Sequence, residues 1–328
     1  MARVKPRGTG VSGPLPRGPF LVVTLNPTFQ KTLVLERLRP GEVNRAEEQY
    51  FDVAGKALNV VRILGQLGET ALHVTQAGGP ERERYLRMCK AENVPTRAVV
   101  AGDYIRTCTT VLDREASTTT ELVEPAAPVD GAAEEAVVSL VQEVLPDYGT
   151  FVFAGSMAPG FSPSLPARLI SLARAAGLYV VADFRGEELK QALKNPADRL
   201  PNVIKVNLVE FAETFFFGGA GALGEHTDDP EVLEKAERHM ALLRETGVEV
   251  VISRGALPTL VLDDENRVRE VPTLPLEPVN TIGCGDAFTA GLVSELAAGS
   301  SLEDAIDRGH TTAAMNATTV RPGTIRPS

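Results

Sequence analysis

The sequence predicts an α/β fold, with a mostly parallel sheet covered by helices on both faces and a small β-rich appendage. Three observations predict it. From Phe20 onward, short apolar runs alternate with longer helical patterns, as expected for parallel strands joined by crossover helices. A hydrophobic content of 43% over 328 residues supports a sizeable core, in one large domain or two smaller ones. Two stretches, 32–53 and 104–123, break the alternation and read as extended runs joined by turns.

Taken in order, residues 1–19 are rich in Pro, Gly and Arg, contain no apolar core, and read as a flexible tail rather than a secretion signal. Leu21–Leu25 is a short apolar run and predicts a strand. The stretch 32–53 turns at Pro40-Gly41. Leu58–Leu67 has helical spacing and stops at Gly68, Leu72–Gln76 reads as the next strand, and Glu81–Glu92 is helical. Thr107–Leu112 and Thr118–Val123 flank polar Asp113–Ser117 and read as a hairpin. Then follow helix Ala132–Leu145, strand Phe151–Ala154, helix Leu165–Ala176, and strands Tyr179–Asp183 and Val203–Val206. Gly218–Ala222 reads as a surface loop. Helix Glu231–Thr246 passes through Gly247 into strand Glu249–Ser253, and helices Asp286–Ala298 and Leu302–Thr318 complete the pattern. The two irregular stretches together predict a small sheet that projects from the main domain and covers a site.

Composition narrows the function. The net charge is −10 and no dense basic stripe lies outside the tail, which argues against nucleic acid and anionic membrane as main partners. No apolar run approaches the roughly 20 residues that span a bilayer. The three cysteines, Cys89, Cys108 and Cys284, are widely spaced without a CxxC pair, and the four histidines show no metal-ligand spacing. A reduced, cytoplasmic setting is the expectation.

The most informative segment is Asn280-Thr281-Ile282-Gly283-Cys284-Gly285-Asp286-Ala287-Phe288, which opens a long apolar-periodic run. Glycines admit a phosphate close to backbone N–H groups, and a helix start offers unpaired donors and a positive dipole end. A carboxylate there can hold an attacking hydroxyl while amides hold the phosphoryl group in transfer. The alternative is an ordinary helix start, with glycine for the turn and Asp for the dipole. The segment is not the dinucleotide fingerprint, because Phe288 stands where a third glycine belongs. Gly55-Lys56 is not a P-loop either, lacking the upstream glycine and the following Ser/Thr.

Several blocks recur in a known order: Thr24-Leu25-Asn26-Pro27, Gly41–Arg45, Ala54–Val60, Ala154–Gly160, Asn207-Leu208-Val209-Glu210 and Asn280–Asp286. Through them the chain resembles the ribokinase-like, phosphofructokinase B-type carbohydrate kinases, and within these 1-phosphofructokinases and tagatose-6-phosphate kinases. The resemblance runs from about Leu21 to Gly323. It implies a three-layer α/β/α sandwich with a mostly parallel central sheet and a small β lid, and an active site at the carboxyl ends of the strands. It implies that Asp286 is the catalytic base, with a low pKa from its helix start, and that the amides of Gly283, Cys284 and Gly285 form an anion hole. Cys284 replaces a usual Ala and reads either as a small filler or as an activated thiol.

The resemblance also implies an ATP side of Asn207, Ser253, Gly255 and Asn316, with Glu210 placing Mg²⁺ through water. Asn207 has an alternative reading as a helix cap. Gln30, Gly55, Lys56, Asn59, Arg106 and Ser156 match substrate positions, with Arg45 as a further candidate. Lys56 and Arg106 are the cations that a phosphorylated acceptor requires. Some relatives dimerise through the lid, so a homodimer through that sheet belongs to the same expectation.

Three departures bear on the acceptor. Gln30 stands where an Asp usually accepts hydrogen bonds from sugar hydroxyls. Ala54 and Ala57 replace common glycines, and Asn280 replaces a frequent Asp. The expected activity is ATP-dependent phosphorylation of a ketohexose phosphate: fructose 1-phosphate, tagatose 6-phosphate or fructose 6-phosphate. Two alternatives stand beside it. One is a kinase for an unphosphorylated sugar or nucleoside, and the other is a non-catalytic sensor of sugar phosphate or nucleotide.

Overall fold

The computed structural model describes residues 15–217 and 229–326. The predicted loop Gly218–Ala222 and most of the predicted tail lie outside the described residues. The chain begins with β1 (Phe20–Leu25), β2 (Thr28–Leu35), β3 (Glu48–Ala54), α1 (Lys56–Gln66), β4 (Ala71–Gln76), α2 (Arg82–Ala91) and β5 (Thr96–Val99). It continues with β6 (Arg106–Asp113), β7 (Thr118–Val123), α3 (Gly131–Val144), β8 (Thr150–Met157), α4 (Leu165–Ala175), β9 (Tyr179–Asp183) and α5 (Glu187–Ala192). After these come β10 (Val203–Asn207), α6 (Leu208–Phe215), α7 (Pro230–Glu245), β11 (Glu249–Arg254), β12 (Leu257–Leu262), β13 (Val268–Val271), α8 (Cys284–Ala297) and α9 (Leu302–Ala317).

Nine strands form the main sheet in the order β13-β12-β11-β10-β9-β8-β1-β4-β5. Pairing is parallel from β11 to β5 and antiparallel only at the β11–β12 and β12–β13 edge. All six residues of β1 are buried, as a central parallel strand requires, and they alternate between two cores. Leu21, Val23 and Leu25 pack with α3–α7, whereas Phe20 and Val22 pack with α1, α2, α8 and α9. Each such apolar side chain contributes roughly 1.5–3 kcal/mol on burial, so both helix layers are anchored on the same strands. Strand order reverses beside β1, between β4 and β8, which opens a crevice at the carboxyl ends.

The smaller sheet has the order β3-β2-β6-β7, with β2 and β6 parallel and both outer pairs antiparallel. It leaves the main domain directly after β1, at the crevice. Its first strand starts at Thr28 rather than Thr32, because pairing continues to Thr28–Ala54 and Thr28–Arg106. The edge strands β5 and β13 (TRAV and VREV) escaped sequence reading. Both are short and carry the charges that keep exposed sheet edges from pairing further.

Candidate active site

At the carboxyl ends of the strands, five elements bring one polar cluster together. Gly55 turns the chain after β3 so that α1 starts with Lys56. β9 ends on Asp183, whose side chain is 1% exposed, and β10 carries Lys205, 4% exposed. α6 supplies Glu210, and α8 supplies Asp286 and Thr289. Lys56 Nζ lies 3.2 Å from Asp183 Oδ1 and 3.5 Å from Glu210 Oε1. Lys205 Nζ lies 3.6 Å from Asp183 Oδ2 and donates to the Gly285 carbonyl at 3.1 Å. Thr289 Oγ1 donates to Asp183 Oδ2 at 2.7 Å. Asp183 thus receives two ammonium groups and a hydroxyl, the compensation that a buried carboxylate needs.

Asp286 is 7% exposed and accepts a hydrogen bond from Asn59 Nδ2 at 2.7 Å. Its low pKa, expected from the helix start, is not what the structure shows. Burial pushes the carboxyl up to about 6, although Lys56, the Asn59 hydrogen bond and Lys205 pull it down. Desolvation outweighs the dipole because α8 starts inside the crevice rather than in solvent. Asp183 moves the other way: burial raises it, but Lys205 and Lys56 together hold it below the usual carboxylate range. Two carboxyls of one site are therefore poised differently. Burial would depress the Lys56 ammonium, yet Asp183, Glu210 and Asp286 around it leave it raised.

The turn before α8 depends on Gly283, which adopts the left-handed conformation at φ 80°. A Cβ there would also meet the Gly323 nitrogen at 3.2 Å. The Cys284 amide points back to the Thr281 carbonyl at 3.3 Å, so that member of the expected three-amide hole is engaged in the turn. Gly285 and Asp286 occupy the helix start, where no preceding turn supplies an acceptor. Burial raises the Cys284 thiol pKa against the pull of Asn316, which fits the filler reading and not an activated nucleophile.

Asn316, expected beside the nucleotide, braces the turn before α8. It is 1% exposed, and its amide donates to the Ile282 carbonyl at 3.0 Å and accepts from the Gly323 N–H at 2.8 Å. Of the two readings of Asn207, the helix cap is the one visible in its hydrogen bonds. Its Oδ1 accepts from the Glu210 N–H at 2.7 Å and Glu210 Oε2 accepts from the Asn207 N–H at 3.2 Å, a capping box. Glu210 still turns Oε1 to Lys56. Ser253 pairs with Asn207 across β10 and β11, and Gly255 follows in the next turn.

On the other flank, Ser156 accepts from Asn26 Nδ2 at 3.0 Å. Gln30 is buried in the lid and donates one N–H of its amide to Thr110 Oγ1 at 2.7 Å. Arg106 starts β6 beside Thr28 and donates to the Glu124 carbonyl at 3.3 Å. Arg45 is exposed between β2 and β3. Sequence reading missed Asp183, Lys205 and Thr289. A signal was present: Asp183 closes the apolar run YVVA and Lys205 interrupts VI-VN, each a lone charge in a buried parallel strand.

Among the described residues, no helix is long and apolar enough to cross a membrane. Nor do three His, Cys, Asp or Glu side chains there group as a metal cage.

With this geometry in view, relatives are informative. An ATP-dependent 6-phosphofructokinase isozyme 2 of Escherichia coli is 27% identical over 304 residues, covering 92% of this chain and 93% of its own. A possible 1-phosphofructokinase of Thermotoga maritima superposes with a TM-score of 0.79 at 21% identity, covering 92% of both chains. A ribokinase of Thermotoga maritima superposes at 0.65 with 17% identity, covering 94% of this chain and 96% of its own. These superpositions carry the ribokinase-like fold. The pfkB family carbohydrate kinase signature matches residues 26–328. Because that match takes in both the lid and the helix start that holds Asp286, the chain belongs to the pfkB family of carbohydrate kinases, phosphotransferases whose phosphoryl donor is ATP.

Proposed function

We propose that this kinase transfers the γ-phosphoryl group of ATP to a hydroxyl of a ketohexose phosphate, giving a bisphosphate and ADP. Fructose 1-phosphate, tagatose 6-phosphate and fructose 6-phosphate are the acceptors considered. The observation that carries the reading is Asp286, buried at the start of α8 with Asn59 on one oxygen and a pKa of about 6. Such a carboxylate is largely ionised at neutral pH yet basic enough to take a proton.

The acceptor hydroxyl gives its proton to Asp286 as its oxygen bonds to the γ-phosphorus. The bond from that phosphorus to the bridging oxygen breaks, and ADP leaves with the electron pair. Because the transition state is loose, positioning and charge matter most. The amides at the start of α8 and the ammonium groups of Lys56 and Lys205 are the donors for that charge. Asn207, Ser253 and Gly255 border the nucleotide in this reading. Mg²⁺ held mainly by water and phosphates needs one or two carboxylates, and Glu210 is the one we assign, through water. The lid's edge strand β7, with Leu122 60% and Val123 58% exposed, is assigned to a homodimer, which sedimentation of Leu122→Glu against the parent chain tests.

One observation favours an unphosphorylated acceptor. Lys56 is already shared by Asp183 and Glu210, which leaves Arg106 as the main cation for an acceptor phosphate. The test is ADP release with Mg·ATP against phosphorylated and free ketohexoses, with Asp286→Asn as control. Turnover confined to a sugar phosphate, lost in Asp286→Asn and weakened in KM by Arg106→Ala, is the expected result. Faster turnover of a free sugar, indifferent to Arg106→Ala, would transfer the assignment to the second reading. Stabilisation by ligands with no ADP from any acceptor would mean a sensor.

A further inference from the structure

Behind Asp286 and Asn59 lies a chain of side chains to which the phosphoryl transfer described above gives no part. Asn59 Nδ2 donates to Asp286, and Asn59 Oδ1 accepts from Arg62 Nη1 at 2.9 Å. Arg62 is 9% exposed and fully engaged: its Nε donates to Glu92 Oε2 at 2.9 Å, and Nη2 donates to the Val53 carbonyl at 2.5 Å. Nη1 also reaches the Pro322 carbonyl at 3.3 Å. Glu92 and Arg62 line a cleft of about 400 Å³ beside the C-terminal half of α1, with Asp52, Gln66 and Arg321. The chain therefore runs from this cleft to the buried base.

We propose that Arg62 is a positioning residue for Asp286, fixing the Asn59 amide so that its NH₂ rather than its oxygen faces the carboxylate. The chemistry is one-directional. A guanidinium only donates, so the amide oxygen must turn to Arg62 and the amide nitrogen to Asp286. Without Arg62 the amide is free to rotate, and an amide oxygen against a carboxylate is repulsive. Gly323 independently marks the contact as tight: a Cβ there would lie 2.6 Å from Arg62 Nη1 and 2.8 Å from Asn59 Oδ1. The other charged groups acting on Asp286 are Lys56 from α1, Asp183 from β9 and Lys205 from β10. Asp52 and Arg321 pair with each other beside Glu92.

The inference rests on Asp286 as the base, but its test requires no turnover. Protein labelled with ¹³C at the aspartate carboxyls is titrated without ligands, and Asp286→Asn identifies the resonance. In Arg62→Met the Asp286 midpoint is expected to rise by roughly half to one pH unit, the worth of one hydrogen bond. Glu92→Gln, which loosens only the outer end, is expected to move it less and in the same direction, and it serves if Arg62→Met does not fold. Made in an Asn59→Ala background, Arg62→Met is expected to have little further effect. An unchanged midpoint in both variants would overturn the proposal. So would a shift that persists undiminished without Asn59, since that is a bare charge effect. If Asp286→Asn proves fully active, the base assignment fails while the midpoints still report on the relay.

Discussion

At Asp286 two opposing effects meet in one side chain. The helix start favours the anion, burial favours the acid, and burial prevails. The sign of the consequence is definite. A carboxyl whose folded pKa is about 6 and whose ordinary value is 3.8 binds its proton more tightly when folded. Its contribution to stability is fully present below about pH 4, is lost as pH rises through 6, and above that the ionised group is a net cost. Asp286→Asn is therefore expected to stabilise the protein at pH 8, by on the order of 2–3 kcal/mol at most, while abolishing turnover. The gain should fade between pH 6 and 4, a trend that thermal melts of both chains across that range would reveal. In the parent chain, kcat/KM should fall below about pH 6 as the base of the free enzyme protonates.

At the scale of elements, the site is made from starts and ends. β9 ends in Asp183, β10 in Asn207, and α1, α6 and α8 start at Lys56, Leu208 and Cys284. The capping box of α6 links both roles, since Glu210 caps the helix with one oxygen and meets Lys56 with the other. Asn207→Ala removes the acceptor for the Glu210 N–H and leaves Glu210 held only by the backbone N–H of residue 207 and by Lys56. A loss of about 1 kcal/mol in urea unfolding is expected, with a rise in KM for Mg·ATP larger than that for the acceptor. Equal changes in both KM values would mean that the cap serves only the helix. This element was legible as NxxE in the sequence, but its double use was not, because nothing local reveals that Lys56, 154 residues away in sequence, arrives at the same carboxylate.

At the scale of the molecule, the lid and the C-terminal segment meet. Arg321 pairs with Asp52 of β3, Arg62 holds the Val53 carbonyl, and Gly323 braces Asn316 under the turn before α8. The lid is thus tied to the helix start that holds the base. Acceptor binding is expected to close the lid and exclude water from the phosphoryl group. ATP hydrolysis in the absence of acceptor should then be far slower than transfer in its presence, and protease cleavage of the 36–47 connection should slow when acceptor is added. Equal hydrolysis with and without acceptor would count against closure.

Periodicity and turn chemistry by themselves determined the alternating strands and helices, because apolar spacing and glycine stops are local properties read within a few residues. The blocks around Asn26, Lys56 and Asn207 were legible through their resemblance to a kinase family, and the segment before Asp286 also through its own glycines, which dictate the turn locally. Only the tertiary structure decided the rest. Edge strands β5 and β13 exist through pairing with a neighbour, not through their own composition. The pKa of Asp286, the commitment of Asn316 to the turn, and the meeting of Asp183, Lys205 and Arg62 with the site all depend on what distant segments bury or touch. Desolvation and hydrogen-bond partnership belong to neighbours in space, and a sequence orders its residues only along the chain.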